Sequence, residues 1–257
     1  MEKLDLTRMT EKSRRGRRAG SIACVAVVAA VLASETAGAS GPAATQLAQT
    51  PPSHSEIARY QGLHAAAAAG DLGVIERLIV ARRTNMEDHD DHGRTALMVA
   101  THGRHHGAAR ALIAAGANLD ALNRVRYDVL TISGVANDVE MVKLPLASGA
   151  NAGQVTSRYD GTALIASAHL GHVEVVRALI NAKAPLDHVN NLGWTALIEA
   201  IVLGDGGARH TEIVRLLIAA GADLQLADSR GVSPLALARN RGYGNIAAIL
   251  ESAGARP

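Results

Sequence analysis

Short apolar runs return at fixed intervals along most of the chain. Val175-Val176 and Leu179-Ile180 lie three to four positions apart, the spacing that puts aliphatic pairs on one buried face of a helix. Ahead of each such run stands another: Thr-Ala-Leu begins at Thr95, Thr162 and Thr195, with Ser233-Pro234-Leu235 as a variant. A Thr or Ser just before an apolar run can cap a helix, and Gly171 and Gly242 can end that helix and turn the chain into a second one. Gly-Ala at Gly116, Gly149, Gly221 and Gly254, with Lys183-Ala184 in the one empty slot, then releases the chain into a hairpin-like finger. Thr162 to Thr195 is 33 residues and Thr95 to Thr162 is 67, close to twice that. A two-helix unit of this size cannot bury its apolar face alone; stacking neighbours does it.

Between these landmarks run Gly171-His172-Val173-Glu174-Val175-Val176 and His210-Thr211-Glu212-Ile213-Val214. Together the residues resemble the ankyrin repeat, with the best matches at 93–120, 160–187, 193–223 and 231–255. Divergent copies at 62–79 and 127–151 bring the array to about six units, bounded near 57–89, 90–122, 123–156, 157–189, 190–227 and 228–257. The resemblance implies an all-α solenoid of helix-turn-helix units with hairpin-like fingers, and a family that works by protein–protein contact. Three departures bear on stability. In the third unit Arg126 replaces the turn glycine, Asp128 replaces the capping Thr, and Pro145 falls within the second helix, where an interior proline costs about 3 kcal/mol. With Gly134 in the first helix as well, that unit is expected to be a soft seam. The fifth unit carries five additional residues, Asp205 to Arg209, expected as a surface or contact loop.

The N-terminus reads differently. A basic run from Lys12 to Arg18 leads into twelve uncharged residues, Ile22 to Ala33, and then a small-residue site ending at Ala39. That order is the pattern of a secretory signal peptide over 1–39, and twelve residues fall short of the roughly 20 that span a bilayer as a helix. An uncleaved membrane anchor is the alternative. Residues 40–56, with Pro42, Pro51 and Pro52 and no apolar period, are expected to be a flexible linker. The expected location is the periplasm or the outside of a bacterial cell.

Composition narrows the function. Of 257 residues 48% are apolar, yet there are four Tyr, one Trp and no Phe, so the core must be aliphatic and alanine-rich, and a β-sandwich or barrel is disfavoured. Residues 1–39 hold seven Lys/Arg and four Asp/Glu; the chain total is 26 and 24, which leaves 19 and 20 beyond residue 39 and a net charge of −1. A sequence-general nucleic-acid binder needs a basic excess that this part lacks. The only cysteine, Cys24, lies inside the apolar segment, so the chain after Ala39 has no thiol chemistry, no disulfide and no Cys-based zinc site. No Gly-x-Ser-x-Gly, His-Glu-x-x-His or Walker motif occurs. No catalytic residues and no cofactor are expected.

Eleven histidines are the one possible metal signal. His89, His92, His102, His105 and His106 fall within eighteen residues beside Asp88, Asp90 and Asp91, and on one helix His102 and His106 would share a face. The repeat register offers a plainer account. It puts His105, His172 and His210 in the turn position, His102 in the class of His169, and His64 in the first-helix position, which leaves His89, His92 and His106 in surplus. The expectation is no metal, with His89, His92, His102 and His106 as the candidates should one bind. A periplasmic metal-handling or enzyme-stabilising protein is the alternative function.

Partner contact is expected at a different set. The residue just before each Thr-Ala-Leu landmark is Tyr60, Arg94, Tyr127, Gly161, Trp194 or Val232, with Tyr159 two residues before its own copy. Tyr, Trp and Arg are the types enriched at interaction hot spots. The resemblance places this slot on the fingers, so Tyr60, Arg94, Tyr127, Tyr159 and Trp194 are expected to form a contact stripe, joined by Asp205 and Arg209 of the insertion. The expected partner is a protein, with no nucleic acid, no membrane once the signal is removed, and a monomeric chain.

Overall fold

A computed structural model describes residues 50–81 and 84–257; the expected signal peptide and most of the linker lie outside the described residues. The described chain contains a short helix α1 (His54–Ile57) and then six helix pairs. The pairs are α2 (Gly62–Ala69) with α3 (Leu72–Val80), α4 (Ala96–His102) with α5 (His106–Ala114), and α6 (Val129–Val135) with α7 (Val139–Ala147). They continue as α8 (Ala163–Leu170) with α9 (Val173–Asn181), α10 (Ala196–Val202) with α11 (Ala208–Ala220), and α12 (Pro234–Asn240) with α13 (Gly244–Ser252). First helices pack on first helices and second on second along the array. Among the described residues there is no strand, only an isolated bridge between Thr156 and Gly161.

The capping pattern follows the sequence. Thr95, Thr162 and Thr195 accept from the backbone N–H three residues on, each at 3.3 Å, and Ser233 does so at 3.2 Å. Asp128 accepts from the Thr131 N–H at 2.7 Å, so the third unit is capped after all; a carboxylate oxygen does the same work as a hydroxyl. At the far ends the Gly-Ala glycines sit at φ 89–93°, and Lys183 occupies the same turn at φ 63°.

Close approach of first helices explains a core without Phe. The fifth position after the N-cap of each first helix holds Ala66, Ala100, Ser133, Ser167, Ala200 or Ala238, all at 3% exposure or less. The two serines return their hydroxyls to their own helices, Ser133 to the Val129 carbonyl at 2.7 Å and Ser167 to the Ala163 carbonyl at 2.8 Å. Gly134 belongs to this packing: a Cβ there would stand 2.9 Å from Ser167 Oγ. It is a contact point between units, not a weakness in the helix.

Two further expectations change. Residues 53–56, the end of the expected linker, are helical or helix-capping: Ser53 and Glu56 form a capping box at the start of α1, which satisfies two end N–H groups at once. The insertion is not wholly a loop, since Ala208 and Arg209 open α11, which at 13 residues is the longest helix described. Asp205 accepts from His210 at 2.7 Å, and Tyr243 of the next unit donates to the Gly204 carbonyl at 2.8 Å.

The core divides within the third unit. Tyr127, Val129, Ile132 and Met141 pack with the N-terminal units, whereas Leu130 and Val142 pack with the C-terminal ones. Helix α7 runs through Pro145, which is buried.

Candidate interaction surface

Four of the five fingers among the described residues are closed by an Asp or Asn side chain, in three of them within the sequence Asp/Asn-x-x-Gly. Asp90 Oδ1 accepts from the His92 and Arg94 N–H groups, both at 2.8 Å. Asn123 does so from Val125 and Tyr127 at 3.1 and 2.9 Å, and Asn190 from Leu192 and Trp194, both at 3.0 Å. Asp228 accepts from Arg230 and Val232 at 2.9 and 3.0 Å. Between them stands a residue in the left-handed region: Gly93, Arg126, Gly193 or Gly231. The remaining finger, third in chain order, is one residue longer, with Ser157 and Asp160 both at positive φ and the Thr156 N–H bonded to the Gly161 carbonyl at 2.8 Å.

This geometry corrects the expected contact stripe. At Arg94, Tyr127, Trp194 and Val232 the slot is the base of the finger, not its tip: its N–H is held by the Asp or Asn, and its carbonyl accepts that residue's own N–H. A side chain there turns toward the neighbouring unit. Arg94 is 4% exposed and Tyr127 9%, so neither is available to a partner. Tyr60 is half-buried, and Trp194 is half-buried against the larger core cluster. Tyr159 lies away from the slot, toward the tip of the longer finger, with the Arg158 guanidinium 5.8 Å from its ring centre. Asp205 and Arg209 are exposed.

Arg94 instead ties the first two units together. It donates to Asp90 Oδ2 and to Glu56 Oε1, both at 2.6 Å, while Tyr60 donates to Asp90 Oδ2 at 2.6 Å. Burial pushes Glu56 up, but hydrogen bonds from Ser53 and Arg94 outweigh it and hold the carboxyl at about 2. Asp90 is likewise raised by burial and brought down to about 2 by bonds from Tyr60, Arg94 and His92. A second polar node lies farther along: Glu199, 5% exposed, accepts from Asn190 Nδ2 at 2.9 Å and lies 3.1 Å from His169 Nδ1. Glu56 and Glu199 were not singled out from the sequence, and Asp90 only as an acidic neighbour of the histidine cluster. The Asp/Asn-x-x-Gly recurrence could have found Asp90, and the Ser-x-x-Glu spacing from Ser53 could have found Glu56 as a helix-start residue; nothing local marks Glu199.

The histidines are distributed, not gathered. His105, His172 and His210 each donate to a first-helix carbonyl of the preceding unit: Ala68 at 3.0 Å, Gly134 at 2.9 Å and His169 at 2.9 Å. His102 closes α4 and His106 opens α5, so the shared helix face on which a metal pair would depend is not formed. Burial, with the Arg94 charge nearby, drives the His102 pKa down to about 4. His106 meets Asp138 at 2.9 Å, His92 meets Glu56 at 2.7 Å, and His89 is exposed. Among the described residues no three His, Cys, Asp or Glu side chains converge as metal ligands would.

What remains outward is a ribbon of finger tips joined through backbone. The Arg124 N–H bonds to the His92 carbonyl at 2.9 Å, Ser157 to Arg126 at 2.8 Å, and Asn191 to Tyr159 at 2.9 Å. Two open clefts lie beside it, one of about 360 Å³ lined by Glu56, Tyr60, His64 and Asp91, and one of about 270 Å³ lined by His89, Leu122 and Arg124. Stacked helix pairs with hydrogen-bonded fingers define a helical-repeat solenoid, a class built for extended contact surfaces.

A family model of ankyrin repeats matches residues 40–123, 63–150 and 130–228. The chain belongs to the ankyrin-repeat family, whose members are generally protein–protein interaction scaffolds. It is 34% identical over 191 residues to the putative ankyrin repeat protein YahD of Escherichia coli K12, covering 74% of this chain and 94% of that one. It is also similar to the crystal structure of an ankyrin repeat domain from Acinetobacter baumannii AYE, at 45% identity and TM-score 0.72, over 76% of this chain and 98% of the other. The solved ankyrin repeat protein EF0377 aligns at 30% identity and TM-score 0.70, over 75% and 98%.

Proposed function

We propose that this protein is a non-catalytic scaffold, exported from a bacterial cytoplasm, that holds a protein partner through its fingers and concave face. The observation that carries the reading is how the polar groups are used. Arg94, Asp90, Asp128 and Glu199 are buried and spent on bonds within or between units, and among the described residues no buried side-chain nitrogen or oxygen lacks a partner. The finger tips present exposed polar and charged groups, and an extended surface of this kind suits a protein better than a small molecule. Export rests on the N-terminal order of basic run, apolar segment and Ala39 site. Among the described residues no helix is long and apolar enough to cross a membrane.

The two halves of the reading have separate tests. Cell fractionation with N-terminal sequencing should find a chain beginning at Ser40 outside the cytoplasm; an intact Met1 in a cytoplasmic fraction overturns export. The chain from Ser40, immobilised as bait in a periplasmic extract, should retain a defined protein that is lost when finger-tip residues are altered. Retention that persists after those changes overturns the proposed surface.

A further inference from the structure

The finger ribbon carries a charge order along its length. At its N-terminal end Asp88 and Asp91 are exposed. Next come Arg124 and Arg126, and then Arg158, all exposed. Arg126 is spent on Asp160 at 2.9 Å, but among the described residues neither Arg124 nor Arg158 is within ion-pair distance of a carboxylate. The following finger has no charge at its tip, where exposed Asn191 stands, and its other outward residues are apolar: Val189 is 47% exposed, and Leu192 and Trp194 of the same finger are half-buried. Backbone hydrogen bonds between successive tips hold these three fingers in register.

From this order we propose that the fingers spanning Arg124 to Trp194 bind an extended acidic-then-apolar segment of the partner protein. The proposal rests on the scaffold reading and names the partner's chemistry. Carboxylates of the segment meet Arg124 and Arg158, whose planar guanidinium groups match carboxylates geometrically. An aliphatic side chain then covers Val189 and the part of Trp194 left exposed outside the core, removing apolar surface from water. Stacked units lie about 8–10 Å apart, so three fingers span about 20 Å, the reach of about six extended residues at roughly 3.3 Å each. Nucleic acid fits poorly, because Asp160 interrupts the arginines and Asp88 and Asp91 flank them, whereas phosphate binding needs several unneutralised cations in a row.

Trp194 is the only tryptophan, so its emission reports directly on the apolar end. The probe is a synthetic peptide with glutamates at one end and leucines at the other, titrated against the chain from Ser40. Binding should shift Trp194 emission, and raising salt from about 0.05 to about 0.5 M, where charges are screened beyond roughly 4 Å, should weaken it about tenfold. The double variant Arg124→Glu/Arg158→Glu should weaken it about tenfold or more. Arg77→Glu/Arg110→Glu changes net charge equally on the second helices and should leave binding unchanged. Circular dichroism confirms that each variant is folded. No binding by the wild type, equal loss in both double variants, or tighter binding of a single-stranded oligonucleotide than of the peptide overturns the proposal. A natural partner whose capture survives Arg124→Glu/Arg158→Glu overturns it too, while leaving the scaffold reading standing.

Discussion

Lys183 permits a clean measurement of what one backbone conformation costs in this array. It sits after α9 at φ 63°, where four other units have glycine at φ 89–93°. The turn is the same at each: the Lys183 N–H bonds to the Ile180 carbonyl at 2.9 Å and Ala184 to Leu179 at 3.0 Å, as Gly221 bonds to Ile218 and Ala222 to Leu217, both at 3.0 Å. A Cβ built on Gly116, Gly149, Gly221 or Gly254 meets nothing within 4 Å, so neither substitution is complicated by a clash. An L-residue in the left-handed region costs roughly 1–2 kcal/mol, while glycine gives up about 0.5–1 kcal/mol of additional chain entropy on folding. A lysine near a helix C-terminus recovers about 0.3 kcal/mol from the helix dipole. Lys183→Gly should therefore stabilise by about 0.5 kcal/mol. Lys183→Ala, which keeps the Cβ and loses the charge, should be less stable than Lys183→Gly by about 1 kcal/mol. For a domain of this size 1 kcal/mol is about 2–4 °C in Tm, and urea titration followed by far-ultraviolet circular dichroism resolves it. Equal stability of the glycine and alanine variants would refute the argument, because it would mean the turn tolerates a Cβ without cost.

The third unit should remain the soft seam, since the core divides there and Pro145 removes one helical N–H; hydrogen exchange should be fastest within the array near residues 126–156, and even protection across all six units counts against it. Pro145→Leu should slow that exchange if the helix regains its bond without overpacking. His102 sets a pH dependence: its folded pKa, about 4, lies below the ordinary 6.5, so the unfolded chain takes up the proton first as pH falls. The stability it contributes is whole above about pH 6.5 and is lost between there and pH 4. His102→Gln should flatten the urea midpoint over that window, and an unchanged slope removes His102 as its source. Glu56 and Asp90, both held at about 2, act lower, their contribution being lost only between about pH 4.5 and 2.

Much of this protein was determined by the sequence alone, because it depends on contacts a few residues apart. Helix ends follow from Thr95, Thr162, Thr195 and Ser233 bonding three residues on, and the turns follow from glycines that must adopt positive φ. Even Lys183 and Arg126, which break the glycine pattern, were assigned to their turns by register. What the tertiary structure decided is which way side chains face and what they are spent on. The residue before each Thr seemed a contact residue while its finger had no known closure. Once Asp90, Asn123, Asn190 and Asp228 hold its N–H, it becomes the inward base of the loop, and Arg94 reaches 38 residues back to Glu56. His102 and His106, four apart in sequence, separate because a turn falls between them. Gly134 looked like a weak point until Ser167 of the next unit came within reach of it. Periodicity carries the spacing of units, whereas the facing of a finger residue is set by partners 30 to 40 positions away that no local pattern encodes.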